Sequence, residues 1–215
     1  MPQILKPEAR EKIIESAKSE FLKRGYEDSS MRRIRLHSGM TVGNLYRYFK
    51  NKDELVNLVV GPAYGAIDKL VERLTDGKVT LSGVDSLAEL DAGDLHNMVD
   101  GLSEGLADIY KSHRTELNIL MMGSATNRAL TNWFTGAIRH VISQRYGDAV
   151  DASFCKTISR GYAVAIFEGL KEILRASDVS SEQLRDLIKT FLNTYILMLD
   201  NKAERQGETD ELYRV

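Results

Sequence analysis

One cysteine in 215 residues, Cys155, excludes a disulfide framework within the chain. It lies in a stretch of helical pattern, where a thiol fills core or interface, and no second cysteine is present to form a redox pair. Long apolar runs are missing too. No stretch of about 18 residues is apolar enough to span a bilayer, and no cleavable leader is recognisable, so the expected location is the cytoplasm with no membrane partner. The four histidines are too dispersed to suggest a metal site. The chain also carries no G-x-S-x-G elbow, no P-loop and no H-E-x-x-H. These absences remove common signatures of hydrolases, nucleotide-dependent enzymes and zinc peptidases. No catalytic residue, cofactor or metal is expected, and an enzyme of unrecognised class is the least supported reading.

Charge is nearly balanced, at −2, but unevenly spread. Residues 1–54 hold 12 Lys and Arg against 8 Asp and Glu, net +4, while residues 55–215 hold 17 against 23, net −6. A basic head on an acidic body suits a polyanionic partner, although many solvated faces differ by as much. With 43% hydrophobic residues, the chain can bury far more core than a head of about 50 residues needs, so a second, larger domain is expected.

The densest local information lies in residues 25–52, GYEDSSMRRIRLHSGMTVGNLYRYFKNK. Upstream, Pro7 suits a first helical turn, and Ile13, Ala17 and Phe21 share one face of a helix that stops at Gly25. Ser30 can cap a short helix over residues 31–38, which Gly39 closes in a left-handed conformation. Thr41 can cap a second short helix over residues 42–49, with Leu45 and Phe49 spaced i and i+4. Asn51 and Glu54 form a capping-box pattern that starts the next helix at Lys52. Two short helices joined by a tight glycine turn make a helix-turn-helix.

The order helix, GYEDSSMRRI, SGMTVGNLYRYF, KNKDELV resembles the amino-terminal domain of the tetracycline-repressor (TetR/AcrR) family of bacterial transcriptional regulators. The resemblance covers roughly residues 8–60 and is most specific over residues 39–49 with Lys52 behind. The rest of the chain matches only in length and helical character. The resemblance implies that Ser30 meets a phosphate at the start of its helix, and that Thr41, Val42, Gly43 and Asn44 face base edges or adjacent backbone. It further implies that Tyr46, Tyr48 and Lys52 clamp phosphates on double-stranded DNA. The residue chemistry agrees: hydroxyl and ammonium donors position a protein on the duplex, an amide such as Asn44 can pair with adenine, and Gly43 admits close backbone approach. Taken singly, Tyr46 and Tyr48 can equally pack on the head's core, and Lys52 can be a solvated helix-start lysine. The sequence departs from the family pattern at Arg35, where a small residue is usual, and at the polar pair His37 and Ser38. Arg35 can bury its stem and send its guanidinium to solvent or phosphate.

Beyond Asp53 the pattern is helical nearly throughout. A helix from Lys52 to about Leu74 contains Pro62, which is expected to bend or interrupt it. Residues 75–93 read as a loop that borders a ligand site. Further helices are expected over residues 95–110, around 116–122, and over a long stretch with Leu130, Ile138 and Ile142. The resemblance makes these the walls of an effector pocket, with His96, Met98, Tyr110, Met121, Met122, Trp133, Phe134 and His140 as candidates and an apolar or aromatic effector. The same residues can simply fill an irregular core.

Two last helices, over residues 152–176 and from Ser180 or Ser181 to Leu199, carry wide apolar faces. They resemble the family's homodimer interface, with an intrachain hairpin as the plainer alternative. The tail from Asn201 is expected to be frayed. The fold class is therefore all-α, with a three-helix helix-turn-helix DNA-binding domain over residues 1–54 and a helical effector-binding and dimerisation domain over residues 55–215. The functional expectation is a repressor that binds a palindromic operator as a homodimer and is released by a small molecule. The alternative is a ligand-independent DNA-binding or architectural protein.

Overall fold

A computed structural model describes residues 6–75, 95–122, 124–146, 151–175 and 179–200. Among them every regular element is an α-helix: α1 Pro7–Arg24, α2 Met31–Ser38, α3 Val42–Tyr48, α4 Lys52–Leu74, α5 Leu95–Met121, α6 Ser124–Tyr146, α7 Ala152–Arg175 and α8 Ser181–Asp200. The loop expected over residues 75–93 lies outside the described residues from residue 76 on, as does the tail from residue 201.

Caps set the boundaries of the first four helices. Pro7 occupies the first turn of α1, where its missing N–H costs nothing, and Gly25 closes the helix by donating to the Phe21 carbonyl at 2.8 Å. Ile13, Ala17 and Phe21 are fully buried, and Ile34 of α2 and Leu45 of α3 join them in the same core. The last of the short helices ends one residue earlier than the pattern suggests. Phe49 has left helical geometry (φ −140°, ψ 122°), and its N–H bonds the Leu45 carbonyl while its ring stays buried beneath the Arg10 guanidinium.

The helix expected from Lys52 to about Leu74 is found as α4, which runs without interruption through Pro62. The proline removes the N–H that would bond the Leu58 carbonyl, but Leu58, Gly61 and Pro62 lie on the exposed side, where water can serve that oxygen. The two helices expected over residues 95–110 and 116–122 are both present: they run on as α5 and meet at a kink where His113 is non-helical (φ −138°, ψ 37°). Helix α8 starts on a reciprocal capping box, with Gln183 N–H donating to Ser180 Oγ and Ser180 N–H to Gln183 Oε1.

Helix α4 carries the chain from head to body and packs along α5, where Leu70 and Leu74 lie against Gly105 and Gly101. Helix α5 also packs on α8, with a 2.8 Å ion pair between Asp100 and Lys189. Helices α6, α7 and α8 complete the body, and Phe191 of α8 lies over Gly169 of α7 and against the Tyr195 ring. Beyond His113, α5 turns back to the head: Glu116 pairs with Lys18 of α1 at 3.1 Å, and Met122 lies against Gly25. Burial disfavours the charged form of Glu116. Its own backbone N–H, the Lys18 ammonium and nearby His113 outweigh that, leaving the carboxyl below the ordinary glutamate range.

Candidate DNA-binding face

The turn between α2 and α3 is built from the chain's own polar groups. Ser30, in extended geometry, accepts the Arg33 N–H at 3.4 Å and so caps α2. Gly39 takes φ 69°, a left-handed value that few side chains tolerate, and Met40 N–H returns to the Arg35 carbonyl at 3.2 Å. The Arg35 guanidinium folds over the turn and donates to the Met40 carbonyl at 3.3 Å. Thr41 then caps α3 by accepting the Asn44 N–H at 3.3 Å.

Leu45 and Phe49 anchor α3 inward, and this fixes which residues face out. Thr41, Val42, Gly43, Asn44 and Tyr46 are all exposed, Val42 to 58% and Tyr46 to 50%. An added Cβ at Gly43 would meet nothing within 4 Å, so nothing within the chain demands glycine there. Arg32, Arg47 and Lys50 are exposed cationic side chains on α2, α3 and the turn after it. Tyr48 differs from Tyr46. It is half-buried, and its hydroxyl accepts the Lys6 N–H at 3.0 Å, tying the start of α1 to α3. Lys52 differs as well, since its ammonium turns inward onto the carbonyls of the α1–α2 connection.

Glu20 escaped the sequence reading. It is 1% exposed, and its carboxylate receives the Arg33 guanidinium, with Arg24 at 3.7 Å. Burial pushes its carboxyl up, but the Arg33 hydrogen bond and charge, aided by Ser30 and Arg24, prevail and hold it below the ordinary glutamate range. The signal was an acidic residue three positions beyond Ala17, on the buried stripe of α1. Beside it, the Tyr26 hydroxyl donates to Asp53. That hydrogen bond, with burial and carboxylate charge, pushes the phenol up to about 12.

The candidate effector residues divide. Tyr110, Met121 and Phe134 are buried in the body, and Met98 packs half-buried against the same core. His140 is half-buried. Met122 faces the head at Gly25. The side chains of His96 and Trp133 lie outside the described residues. The Tyr110 hydroxyl and the Asn118 side-chain oxygen are buried without a hydrogen-bond partner among the described residues, and the Arg114 guanidinium stands 5.1 Å from the Tyr110 ring centroid.

Comparison with known proteins places this head. Residues 13–59 match the family described as bacterial regulatory proteins, tetR family. An HTH-type transcriptional regulator of Mycobacterium tuberculosis is 33% identical over 76 residues, 35% of this chain and 32% of that protein, so the match spans about a third of the relative's length. Among solved structures, a TetR-family transcriptional regulator from Chloroflexus aurantiacus superposes with a TM-score of 0.54 at 14% identity, covering 92% of this chain and 94% of that one. NalD, described as the secondary repressor of the MexAB-OprM multidrug efflux pump in Pseudomonas aeruginosa, gives 0.50 at 20% identity over 86% and 96%. At these identities the two structures speak for the shared helical fold alone. Over residues 13–59 the chain is thus similar to the amino-terminal domain of the tetR family of bacterial regulatory proteins, and its helical fold is shared with solved regulators of that family.

Proposed function

We propose that the protein is a ligand-responsive repressor that occupies a palindromic DNA operator as a homodimer. The observation that carries this reading is the outward face of α3, where Thr41, Val42, Gly43, Asn44 and Tyr46 project from a helix held by Leu45 and Phe49. Side chains that contribute little to the fold are free to serve a partner. In the major groove, the Asn44 amide suits an adenine edge and Val42 a thymine methyl, while Ser30 and the Tyr46 hydroxyl suit phosphates at the rim.

A homodimer is supported by apolar side chains that the chain leaves uncovered on its last two helices, Val164 at 43% and Leu187 at 43% exposure. Gly161 adds room, since a Cβ there would meet nothing within 4 Å. Two heads related by a two-fold axis read two half-sites and double the contacts of one.

The effector binds in the body among Tyr110, Met121 and Phe134. An apolar or aromatic molecule with one hydrogen-bonding group suits those walls, because the buried Tyr110 hydroxyl lacks a partner. Release follows if the effector favours the arrangement that DNA does not, and the coupling is reciprocal.

The test is to incubate the purified protein with fragmented genomic DNA of its source and sequence what it retains, with an Asn44→Ala, Tyr46→Ala double variant as control. A palindrome enriched by the wild type and lost in the control is expected. Folded wild-type protein that enriches nothing would sink the reading.

A further inference from the structure

Helix α3 is anchored at one end only. Leu45 and, just past the last helical residue, Phe49 are buried, whereas Thr41, Val42, Gly43 and Asn44 at the other end are all exposed. The end that faces bases is therefore placed by the turn before it. In that turn Gly39 is exposed and Met40 rests half-buried against the core. A flexible thioether side chain fixes where its backbone lies better than the direction of its peptide. That direction matters, because the Met40 carbonyl is joined to Thr41, which starts α3. The Thr41 hydroxyl accepts the Asn44 N–H at 3.3 Å, and its carbonyl accepts the Leu45 N–H at 3.0 Å.

Arg35 holds that peptide from α2. Its backbone carbonyl accepts the Met40 N–H at 3.2 Å and the Ser38 hydroxyl at 3.1 Å, and its guanidinium donates to the Met40 carbonyl at 3.3 Å. Residues 35 and 40 are thus bonded in both directions across the glycine. The guanidinium has no second partner among the described residues: Glu20 takes Arg24 and Arg33, and no carboxylate pairs with Arg35. Resting on the reading of the head as a DNA-binding domain, we propose that Arg35 is a positioning residue for base recognition. By fixing the peptide between Met40 and Thr41 it sets the direction in which Thr41, Val42, Gly43 and Asn44 enter the major groove. Its loss loosens the base-facing end of α3 while Leu45 and Phe49 keep the helix in place. Preference among operators then falls further than affinity for DNA in general, because base edges are read by directed hydrogen bonds and phosphate contacts carry no sequence information.

The test uses the full chain with Arg35→Met, which keeps the stem so that the head still folds but removes every donor, and Arg35→Lys, which restores a cationic donor. Amide hydrogen exchange at Met40, Asn44 and Leu45 is expected to accelerate about tenfold in Arg35→Met, the scale of one lost hydrogen bond from a charged group, and to slow again in Arg35→Lys. Exchange along α1 is expected to stay at the wild-type rate. On a duplex selected by the wild type and on its single-base variants, Arg35→Met is expected to lose about tenfold in preference for the selected sequence, with Arg35→Lys in between and the salt dependence unchanged. An equal loss on every duplex would mark a residue of the fold alone and overturn the proposal. A salt slope shallower by about 0.9 for each Arg35 would mark a phosphate ligand and overturn it too. Unchanged exchange or unchanged base preference does the same. If the wild type selects no DNA, the DNA-binding reading fails, while the exchange measurement still decides whether Arg35 holds the turn.

Discussion

Replacing Glu20 by alanine removes the anion that holds α1 to the start of α2. The carboxylate is 1% exposed, while the Arg33 side chain that meets it is 37% exposed. Truncation therefore removes a charge-assisted hydrogen bond, worth roughly 1.5–3 kcal/mol, but frees Arg33 to turn to water, so the lost ion pair adds only a fraction of its buried value. The expected loss is about 2–3 kcal/mol, below the 3–5 kcal/mol typical when both partners are deeply buried. In a chain of this size that lowers the melting temperature by roughly 4–12 °C. Glu20→Gln refines the test, because the amide keeps one acceptor and loses the charge. The folded carboxyl sits below its unfolded value of about 4.3, so its contribution is fully present above that pH and is lost as pH falls through the folded pKa. Urea melts followed by far-UV circular dichroism between pH 3 and 7 should show wild type and Glu20→Gln well separated at pH 7 and converging toward pH 3. A Glu20→Ala variant within about 0.5 kcal/mol of wild type at pH 7, a change typical of surface positions, would refute the argument.

Asn44→Ala is expected to relax base preference at one position of each half-site by about 1–3 kcal/mol while leaving the melting temperature unchanged, as read by binding to single-base operator variants. Gly105→Ala drives a methyl into the Leu70 side chain on α4 and should cost about 1–3 kcal/mol in a denaturant melt. Val164→Asp places a charge on the exposed apolar face of α7, so sedimentation is expected to show a dimer for the wild type and a monomer for the variant, with the helical circular dichroism signal retained.

The parts of this fold legible in the sequence are those governed by neighbours within four residues. Ser30, Gly39, Thr41 and Asn51 mark helix ends because a cap is a local hydrogen bond, and each stands where its side chain or backbone predicts. What escaped is non-local or depends on exposure. Nothing within four residues says that Lys52 reaches back 26 positions to the Tyr26 carbonyl, or that Tyr48 meets Lys6. That α4 runs through Pro62 depends on which side of the helix faces water, since Pro62 and Leu58 are both exposed. The break at His113 falls between the two helices read over residues 95–110 and 116–122, but an apolar stripe reports burial on either side of a kink without giving the angle between the pieces. The exposed face of α3 was readable from Leu45 and Phe49. The effector walls were not, since Met and aromatic residues look the same whether they line a cavity or fill one.

The return of α5 to the head bears on where the protein can be cut. A fragment ending at residue 54 keeps the three short caps and the buried Ile13, Ala17 and Phe21, but it gives up Leu55 and Val59 of α4, 0% and 3% exposed. It also deprives Lys18 of Glu116, and Gly25 of the Met122 that covers it. The DNA-reading unit is contiguous in sequence up to α4 and is completed by a segment some sixty residues further on. Its autonomy ends there: a head excised for study by itself would fold around a surface that α5 normally shields.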